Sequence, residues 1–333
     1  MINDLCFEII QKCTNNCVFC SSCSSMKAEN IIEYELFEKV IEHIVLKGGL
    51  KEISISGGEP FLHKDLVNMV KLCKSHDIHT TIYTSGIVEN QLKNIDLKDR
   101  NYTYIERKIL EQLKTLDFSF IHKEILFELK KNGLDKIVFD FQAAECDGYN
   151  ELMGTKNNMS NVLQSMINAK SAGLYTEIHF IPMKSNYKDI EDILELCDIG
   201  EIDRISILKF VPQGRGRINK ENLTLSNDEL REFCTNIEVL RKKYNVDIRL
   251  GIPMVNENRH LCTAGHDKLS IRYDGLVLPC VAFKEMDKLY LEAQFKKLGF
   301  SFELFSIRDN LDMLTSVVGS NKFPICKQIY KEN

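Results

Sequence analysis

Three closely spaced cysteines follow a β-like run in the stretch Leu5-Cys-Phe-Glu-Ile-Ile-Gln-Lys-Cys13-Thr-Asn-Asn-Cys17-Val-Phe-Cys20. The apolar pattern of residues 5–10 predicts a strand, so Cys13, Cys17 and Cys20 lie in the loop just beyond it. Three thiolates this close can converge on one metal centre only if the backbone curls around it. Thiolates select zinc or iron–sulfur clusters. With three protein ligands, a four-iron cluster keeps one iron open to a substrate or cofactor.

The spacing of the triplet leaves three other interpretations open. Structural zinc prefers two CxxC-type pairs, and this group has no second pair nearby. Cys23 could supply a fourth thiolate and close the site, or all of these cysteines could be buried without a ligand. The chain carries twelve cysteines, and it begins without the features of a signal peptide. We therefore expect a cytoplasmic protein whose thiols stay reduced rather than a disulfide framework.

Apolar β-like runs alternate with amphipathic helical stretches over the first two-thirds of the chain. This alternation predicts parallel βαβ units, and six of them form an open barrel, an α/β fold with its chemistry at the carboxyl ends of the strands. The predicted strands are residues 5–10, 52–56, 80–83, 136–141, 176–181 and 204–210. The predicted helices are residues 34–46, 65–75, 121–131, 159–172 and 189–197.

The pattern changes in two regions outside these units. Residues 87–120 are polar and look like a helical insertion in one crossover. Near residue 220 the alternation stops, and we place a domain boundary there, giving domains 1–220 and 221–333. In the second domain a helix at 227–244 precedes a hairpin, in which Asp274-Gly275 turns between residues 270–273 and 276–278. The tail, 286–333, is predicted to be mostly helical.

The cysteine triplet and a second motif together resemble the radical S-adenosylmethionine (SAM) enzymes. CxxxCxxC with Phe19 before its last cysteine is that family's signature, and Ser56-Gly57-Gly58-Glu59-Pro60 matches its GGEP motif. The resemblance covers residues 5–217 and implies a partial (β/α)6 TIM-like barrel. It also implies that a [4Fe-4S] cluster on the triplet cleaves SAM to a 5′-deoxyadenosyl radical. The GGEP motif of Gly57, Gly58, Glu59 and Pro60 would then hold the amino group of SAM.

Four weaker matches to the family add candidate SAM contacts. Ser85 lies in an element resembling T-N-G, and Gly214 lies in Pro212-Gln-Gly-Arg-Gly-Arg217, which resembles the P-x-G-R element near the adenine. Asn186 matches an asparagine that contacts the ribose or carboxylate. Asp140 stands where relatives usually have serine, and Gln142 where they have aspartate. For each of these residues, an ordinary loop role is the competing interpretation.

A second cysteine group resembles the SPASM and shortened twitch extensions of the family, which bind an auxiliary iron–sulfur cluster. Cys262 and Cys280 flank the predicted hairpin, which brings their sulfurs to one side, and Cys326 matches a later ligand. The chain has too few cysteines for two auxiliary clusters, and Cys326 lacks the closing CxxC. The resemblance therefore implies one auxiliary [4Fe-4S] cluster with three thiolates and a vacant or unusual fourth ligand. His266 is a candidate for that ligand, and a polar turn residue without a metal is the competing interpretation. The alternative is a hairpin with two buried cysteines and no metal.

Composition narrows the expected substrate and partners. The net charge of −5 and the lack of basic runs make nucleic acid a poor candidate, and we expect no membrane insertion. The resemblance implies a flavodoxin- or ferredoxin-like electron donor. It favours a peptide substrate that is crosslinked, given a thioether or epimerised. The alternatives are a small-molecule dehydrogenase of antibiotic or sugar metabolism and a non-enzymatic iron–sulfur scaffold or regulator.

Overall fold

The computed structural model describes residues 1–90, 103–156, 158–251 and 263–316. Its strands are β1 (Asp4–Ile10), β2 (Glu52–Gly57), β3 (His79–Thr84), β4 (Ile87–Glu89), β5 (Phe118–Phe120), β6 (Lys136–Asp140), β7 (Tyr175–Phe180), β8 (Arg204–Ile207), β9 (Asp247–Leu250), β10 (Lys268–Ile271), β11 (Leu276–Leu278) and β12 (Phe305–Ser306). Its α-helices are α1 (Tyr34–Leu46), α2 (Leu66–Ser75), α3 (Tyr104–Leu113), α4 (Lys123–Lys131), α5 (Cys146–Met153), α6 (Met159–Ser171), α7 (Ile190–Ile199), α8 (Arg215–Ile218), α9 (Lys220–Leu223), α10 (Asn227–Leu240), α11 (Lys288–Lys297) and α12 (Met313–Ser316).

The main sheet has ten strands in the order β12-β11-β10-β1-β2-β3-β6-β7-β8-β9. The strands from β10 to β9 in this order pair in parallel, whereas β11 and β12 are antiparallel. Because the order ends at β12 and β9, the sheet is open, and the predicted α/β architecture of a partial barrel is confirmed. Strands from beyond residue 220 lie toward both edges of this sheet, so the division into two domains there stays a prediction.

Alternating residues give the sheet one apolar and one polar face. On β1, Leu5, Phe7 and Ile9 are fully buried and face the helices, and on α1 the side chains of Phe37 and Ile41 are buried against that layer. Each large apolar side chain buried in this way contributes roughly 1.5–3 kcal/mol. The alternate positions carry polar groups, which the strand registers place side by side: Cys6, Ser54 and Ser270; Glu177 and Arg204; and Asp140, His179 and Ser206.

The insertion differs from the sequence prediction. Residues 87–120 begin and end with strands β4 and β5, which pair antiparallel, and they contain α3. The Ser165 hydroxyl on α6 connects the residues that flank this pair. It donates to Gly86 O, just before β4, at 2.6 Å and accepts from Ile121 N, just after β5, at 2.8 Å. The predicted helical insertion is represented by α3, but β4 and β5 were not predicted, because three-residue strands are too short to show periodicity.

The C-terminal region partly follows its prediction. The hairpin of β10 and β11 is present, with Ser270 opposite Leu278 and Ile271 opposite Val277. The described part of the tail contains α11 and α12, but it also contains β12, which pairs with β11 and was not predicted. No helix in the described ranges has the length and apolar character to cross a membrane.

Candidate active site

The loop that carries Cys13, Cys17 and Cys20 is held from two sides. From the segment after β8, Arg215 donates from Nε to Cys17 O at 2.7 Å and from Nη2 to Ser24 O at 2.9 Å. From the end of α5, Leu152 O accepts from Val18 N at 2.9 Å. Segments distant in the chain therefore help to hold the loop in place.

Two predicted glycines lie where the backbone of another segment approaches this loop. Gly214 has a φ of 52°, and a Cβ there would lie 2.6 Å from Cys20 O. At Gly58 a Cβ would lie 2.2 Å from Lys12 O. Distances this short exclude any side chain, and Gly214 also adopts the left-handed region that glycine favours. Glycine is therefore required at both positions for the GGEP motif and the 212–217 segment to contact the cysteine loop.

The cysteine thiols are grouped and largely buried. Cys13 and Cys17 are 7% and 9% exposed, and Cys20 is half-buried. Burial raises the pKa of Cys13, and the neighbouring Glu59 carboxylate raises it further. Burial and the nearby Cys20 raise the pKa of Cys17. Without a cation, this environment keeps the Cys13 and Cys17 thiols protonated, whereas a metal centre would convert them to thiolate ligands.

The donor set of this loop fits a multinuclear cluster. In the part of the chain that the structure describes, no three Cys, His, Asp or Glu side chains are placed to hold one metal ion. In a four-iron cluster each thiolate binds a different iron, so the sulfurs need not converge on a single point. The grouping of Cys13, Cys17 and Cys20 satisfies that requirement.

Glu59 and Ser85 contact each other beside the cysteine loop. Glu59 is fully buried, and its carboxylate accepts from Ser85 N at 2.8 Å, Ser85 Oγ at 2.5 Å and Thr84 Oγ1 at 2.7 Å. Burial raises its pKa, and these hydrogen bonds oppose that shift. Among the described residues, no cationic side chain is within ion-pair distance of this carboxylate. A buried carboxylate of this kind fits the ammonium of an amino acid. Pro60, also buried, begins the short helical turn that follows.

Asp140 is the last residue of β6 and Asn186 lies in the loop after β7, and their environments differ. Burial raises the pKa of Asp140 to about 6, while a hydrogen bond from Gln142 lowers it. Asn186 donates to Gln142 O at 2.8 Å and accepts from Met183 N at 2.6 Å. The Asn186 amide thus ties two loops together, and a SAM contact by either residue stays a prediction.

Two polar side chains that the sequence analysis did not single out are buried at the site and have no hydrogen-bond partner among the described residues. Asn15, inside the cysteine loop, has neither amide atom bonded, and the Tyr149 hydroxyl is also unpartnered. Buried polar groups are normally hydrogen-bonded. Tyr149 is one of the buried residues of α5, and its burial depends on tertiary packing that the sequence does not show.

The second cysteine group is only partly described. Cys262 and Cys326 lie outside the described residues, while Cys280 follows β11 and its sulfur accepts from Ala282 N at 3.5 Å. A Cβ on Gly265 would lie 3.1 Å from the side chain of Pro279. Gly265 follows Cys262 by three positions in the sequence and Pro279 directly precedes Cys280, so these two residues bring the described ends of the two segments into contact. His266 is exposed in the turn before β10.

Comparisons with known proteins agree with this fold and with the presence of the cysteine loop. The model of the Radical SAM superfamily matches residues 7–197. A probable GTP 3′,8-cyclase of Methanococcus aeolicus is 27% identical over 299 residues, which are 84% of this chain and 85% of that protein. The PqqA peptide cyclase of Gluconobacter oxydans is 23% identical over 279 residues, covering 83% of this chain and 69% of the cyclase.

Two solved structures share the fold. Streptococcus suis SuiB bound to S-adenosylmethionine superposes with a TM-score of 0.63 at 19% identity, over 86% of this chain and 62% of SuiB. This chain therefore spans less than two-thirds of SuiB. The structure of anSMEcpe with bound AdoMet gives a TM-score of 0.60 at 15% identity, over 86% of this chain and 76% of anSMEcpe.

The parallel open sheet, the cysteine loop at its carboxyl end and the family match define an iron–sulfur enzyme that uses SAM. The chain belongs to the Radical SAM superfamily. Membership implies a [4Fe-4S] cluster and SAM as its cofactors. The hypothesis of a non-enzymatic scaffold is not supported, since the relatives are named as cyclases.

Replacing Arg215 with methionine should weaken cluster binding. The substitution removes the guanidinium hydrogen bonds to Cys17 O and Ser24 O, each worth roughly 1.5–3 kcal/mol as a bond from a charged donor. Because these bonds hold the cysteine loop, we expect the iron bound per chain after anaerobic reconstitution to fall about two-fold or more. Arg217→Met, at an exposed position of the same segment, is the control. Equal iron in both variants would contradict this role for Arg215.

Asp140→Asn should stabilise the cluster-free protein in a pH-dependent way. Because the pKa of Asp140 is raised from 3.8 to about 6, the folded protein holds this proton more tightly than the unfolded chain. Wild-type stability should therefore fall as pH rises from about 4 to 6. Denaturant unfolding should show the variant up to about 3 kcal/mol more stable at pH 8, with the difference vanishing near pH 4. A difference independent of pH, or the same change in the exposed-site control Asp228→Asn, would contradict this account.

Proposed function

We propose that this enzyme holds a [4Fe-4S] cluster on Cys13, Cys17 and Cys20, cleaves SAM there, and abstracts hydrogen from a peptide. When bound, the cluster supplies the electron that splits SAM and yields a 5′-deoxyadenosyl radical. The observation that carries the proposal is the buried grouping of these thiols beside the Glu59 carboxylate, which has no ion-pair partner among the described residues. A thiophilic metal centre and an ammonium group together neutralise this arrangement.

The SAM-binding residues are assigned by their positions around the loop. Glu59 would accept the ammonium of SAM, and Ser85 orients that carboxylate through two hydrogen bonds. Gly57, Gly58 and Pro60 shape the backbone that presents it. Asp140, Asn186 and Gly214 remain candidates for the ribose, carboxylate and adenine side of the cofactor. A flavodoxin- or ferredoxin-like protein would supply the electron.

The peptide substrate is supported by relatives and by the charges of the polar face. SuiB has been solved with its precursor peptide SuiA, and anSMEcpe with a bound peptide, while the PqqA peptide cyclase is a sequence relative. Crosslinking, thioether formation and epimerisation are the reaction types that we propose for this chain. Each begins with removal of a hydrogen from an unactivated carbon.

A nucleotide is the second candidate, because the relatives include probable GTP 3′,8-cyclases. The cations of the polar face argue against it. Lys136 pairs with Glu177 at 3.1 Å, Arg204 with Asp247 at 2.7 Å, and Lys268 with Asp4 at 2.6 Å. Lys284, beside this face, pairs with Glu8 at 2.5 Å. Of the described cations on the strands of this face, Arg249 is the one without a carboxylate partner, and it is exposed. A triphosphate needs several uncompensated cations, whereas a peptide does not.

We propose that the second domain, from about residue 221, holds one auxiliary [4Fe-4S] cluster. Cys262, Cys280 and Cys326 are its ligands in this proposal. The adjacency of Gly265 and Pro279 supports it, since these residues neighbour two of the three cysteines. Such a cluster could accept the substrate electron in an oxidation. A small-molecule dehydrogenase would use the same arrangement.

Removing the Cys13, Cys17 and Cys20 thiols should abolish SAM cleavage and one cluster. Anaerobically reconstituted wild type should hold two four-iron clusters and the triple alanine variant one, so iron should fall from about eight to about four per chain. The control is Cys73→Ala with Cys197→Ala, which removes two buried core thiols and should keep both iron and 5′-deoxyadenosine formation. Equal iron in the triple variant and wild type would refute the site assignment.

Deuterium transfer distinguishes the peptide from the nucleotide. The reduced holoenzyme is incubated with SAM and either a deuterated short peptide encoded beside its gene or deuterated GTP. We expect deuterium in 5′-deoxyadenosine from the peptide and none from GTP, because the substrate hydrogen moves to the deoxyadenosyl carbon. Label from GTP alone would overturn the peptide proposal while leaving SAM cleavage intact.

A further inference from the structure

Tyr149 lies on the face of α5 that packs against the cysteine loop. Met153, one turn further along the helix, places its Sδ 4.0 Å from Cys17 Sγ, and residues four apart share a helix face. The same helix end binds the loop backbone, where Met153 O accepts from Asn16 N at 3.1 Å. The Tyr149 ring packs on Phe141, with the ring centroids 5.6 Å apart. This packing fixes the ring, so the direction of its hydroxyl is determined by the fold.

The Tyr149 hydroxyl has no partner in the described protein. The side chain is fully buried, and no donor or acceptor among the described residues bonds its oxygen. Burial raises the pKa of this phenol, and the charges that raise it further are those of Cys17, then Asp140 and Cys13. The residue shares its helix face with Met153, whose sulfur lies against Cys17 Sγ, and these neighbouring charges agree with that placement. A buried donor without a protein partner points to an acceptor that the protein itself does not provide.

We propose that the Tyr149 hydroxyl donates a hydrogen bond to a sulfur of the cluster at its Cys17 corner and raises the reduction potential of the cluster. The inference rests on the proposed cluster at Cys13, Cys17 and Cys20. Reduction adds negative charge to the cluster, so a donor aimed at its sulfur stabilises the reduced form more than the oxidised form. Met153, the nearer neighbour of Cys17, has a thioether and cannot donate. Tyr149 therefore acts as a positioning and tuning residue rather than as a catalytic one.

The test compares Tyr149→Phe with wild type in an anaerobic redox titration followed by electron paramagnetic resonance, without SAM. The variant keeps the ring and removes only the donor, so iron per chain should be unchanged. The ratio of reduced to oxidised cluster at a fixed potential should fall several-fold, where tenfold corresponds to about 59 mV for a one-electron couple. Tyr83→Phe removes the same atom from a half-buried barrel tyrosine whose hydroxyl neighbours Ser54 and Cys6. This control should leave the potential unchanged.

Three results would overturn the inference. The first is an unchanged potential in Tyr149→Phe with normal iron. The second is a shift that occurs only when SAM is present, which would make SAM the partner of the phenol. The third is an equal shift in Phe141→Leu, which alters the packing and keeps the hydroxyl. A wild-type protein that retains no iron at Cys13, Cys17 and Cys20 would instead contradict the proposed cluster itself.

Discussion

Acidic groups lie close together at the carboxyl end of the sheet, and no cation among the described residues forms an ion pair with Glu59 or Asp140 there. Cys13 and Cys17 share this environment with the carboxyl groups of Glu59 and Asp140, and burial raises the pKa of each of them. Burying several ionisable groups of one sign is unfavourable unless they stay protonated or a cation neutralises them. Arg215 lowers the pKa of Cys17, but burial and the neighbouring acidic groups outweigh it. The site is therefore built to receive positive charge, as an iron–sulfur core and the ammonium of SAM would provide.

The rest of the fold serves this arrangement. The parallel strands bring the cysteine loop after β1 and the GGEP motif after β2 to one edge of the sheet, because carboxyl ends of parallel strands coincide. Segments far along the chain then hold the loop: Arg215 from beyond β8 and the end of α5. The period-two pattern of the strands buries one face against the helices and turns the other, polar face toward the inside of the open barrel. On that face Lys136, Arg204 and Lys268 pair with carboxylates, whereas Asp140 has no ion-pair partner among the described residues.

The sequence predicts the frame of this molecule better than its long-range contacts. Each of the six predicted strands is present, and the helix predicted at residues 34–46 has the observed bounds of α1, because these elements carry clear periodicity. The short β4 and β5 are too brief to show it. The parallel pairing of β10 with β1 joins residues more than 260 positions apart, which no local pattern reveals. The cysteine triplet and Glu59 could be found by motif, whereas Arg215, Asn15 and Tyr149 acquire their roles only from tertiary packing. Asn186 is the opposite case. Its position could be found by motif, but in the structure its amide is hydrogen-bonded to backbone groups of Met183 and Gln142.

The most direct test of the central claim is the electron paramagnetic resonance spectrum of the reduced enzyme with and without saturating SAM. If Cys13, Cys17 and Cys20 leave one iron open for the amino and carboxylate groups of SAM, adding SAM should change the spectrum of that cluster. A reduced cluster whose spectrum is the same in the presence and absence of SAM would contradict the account.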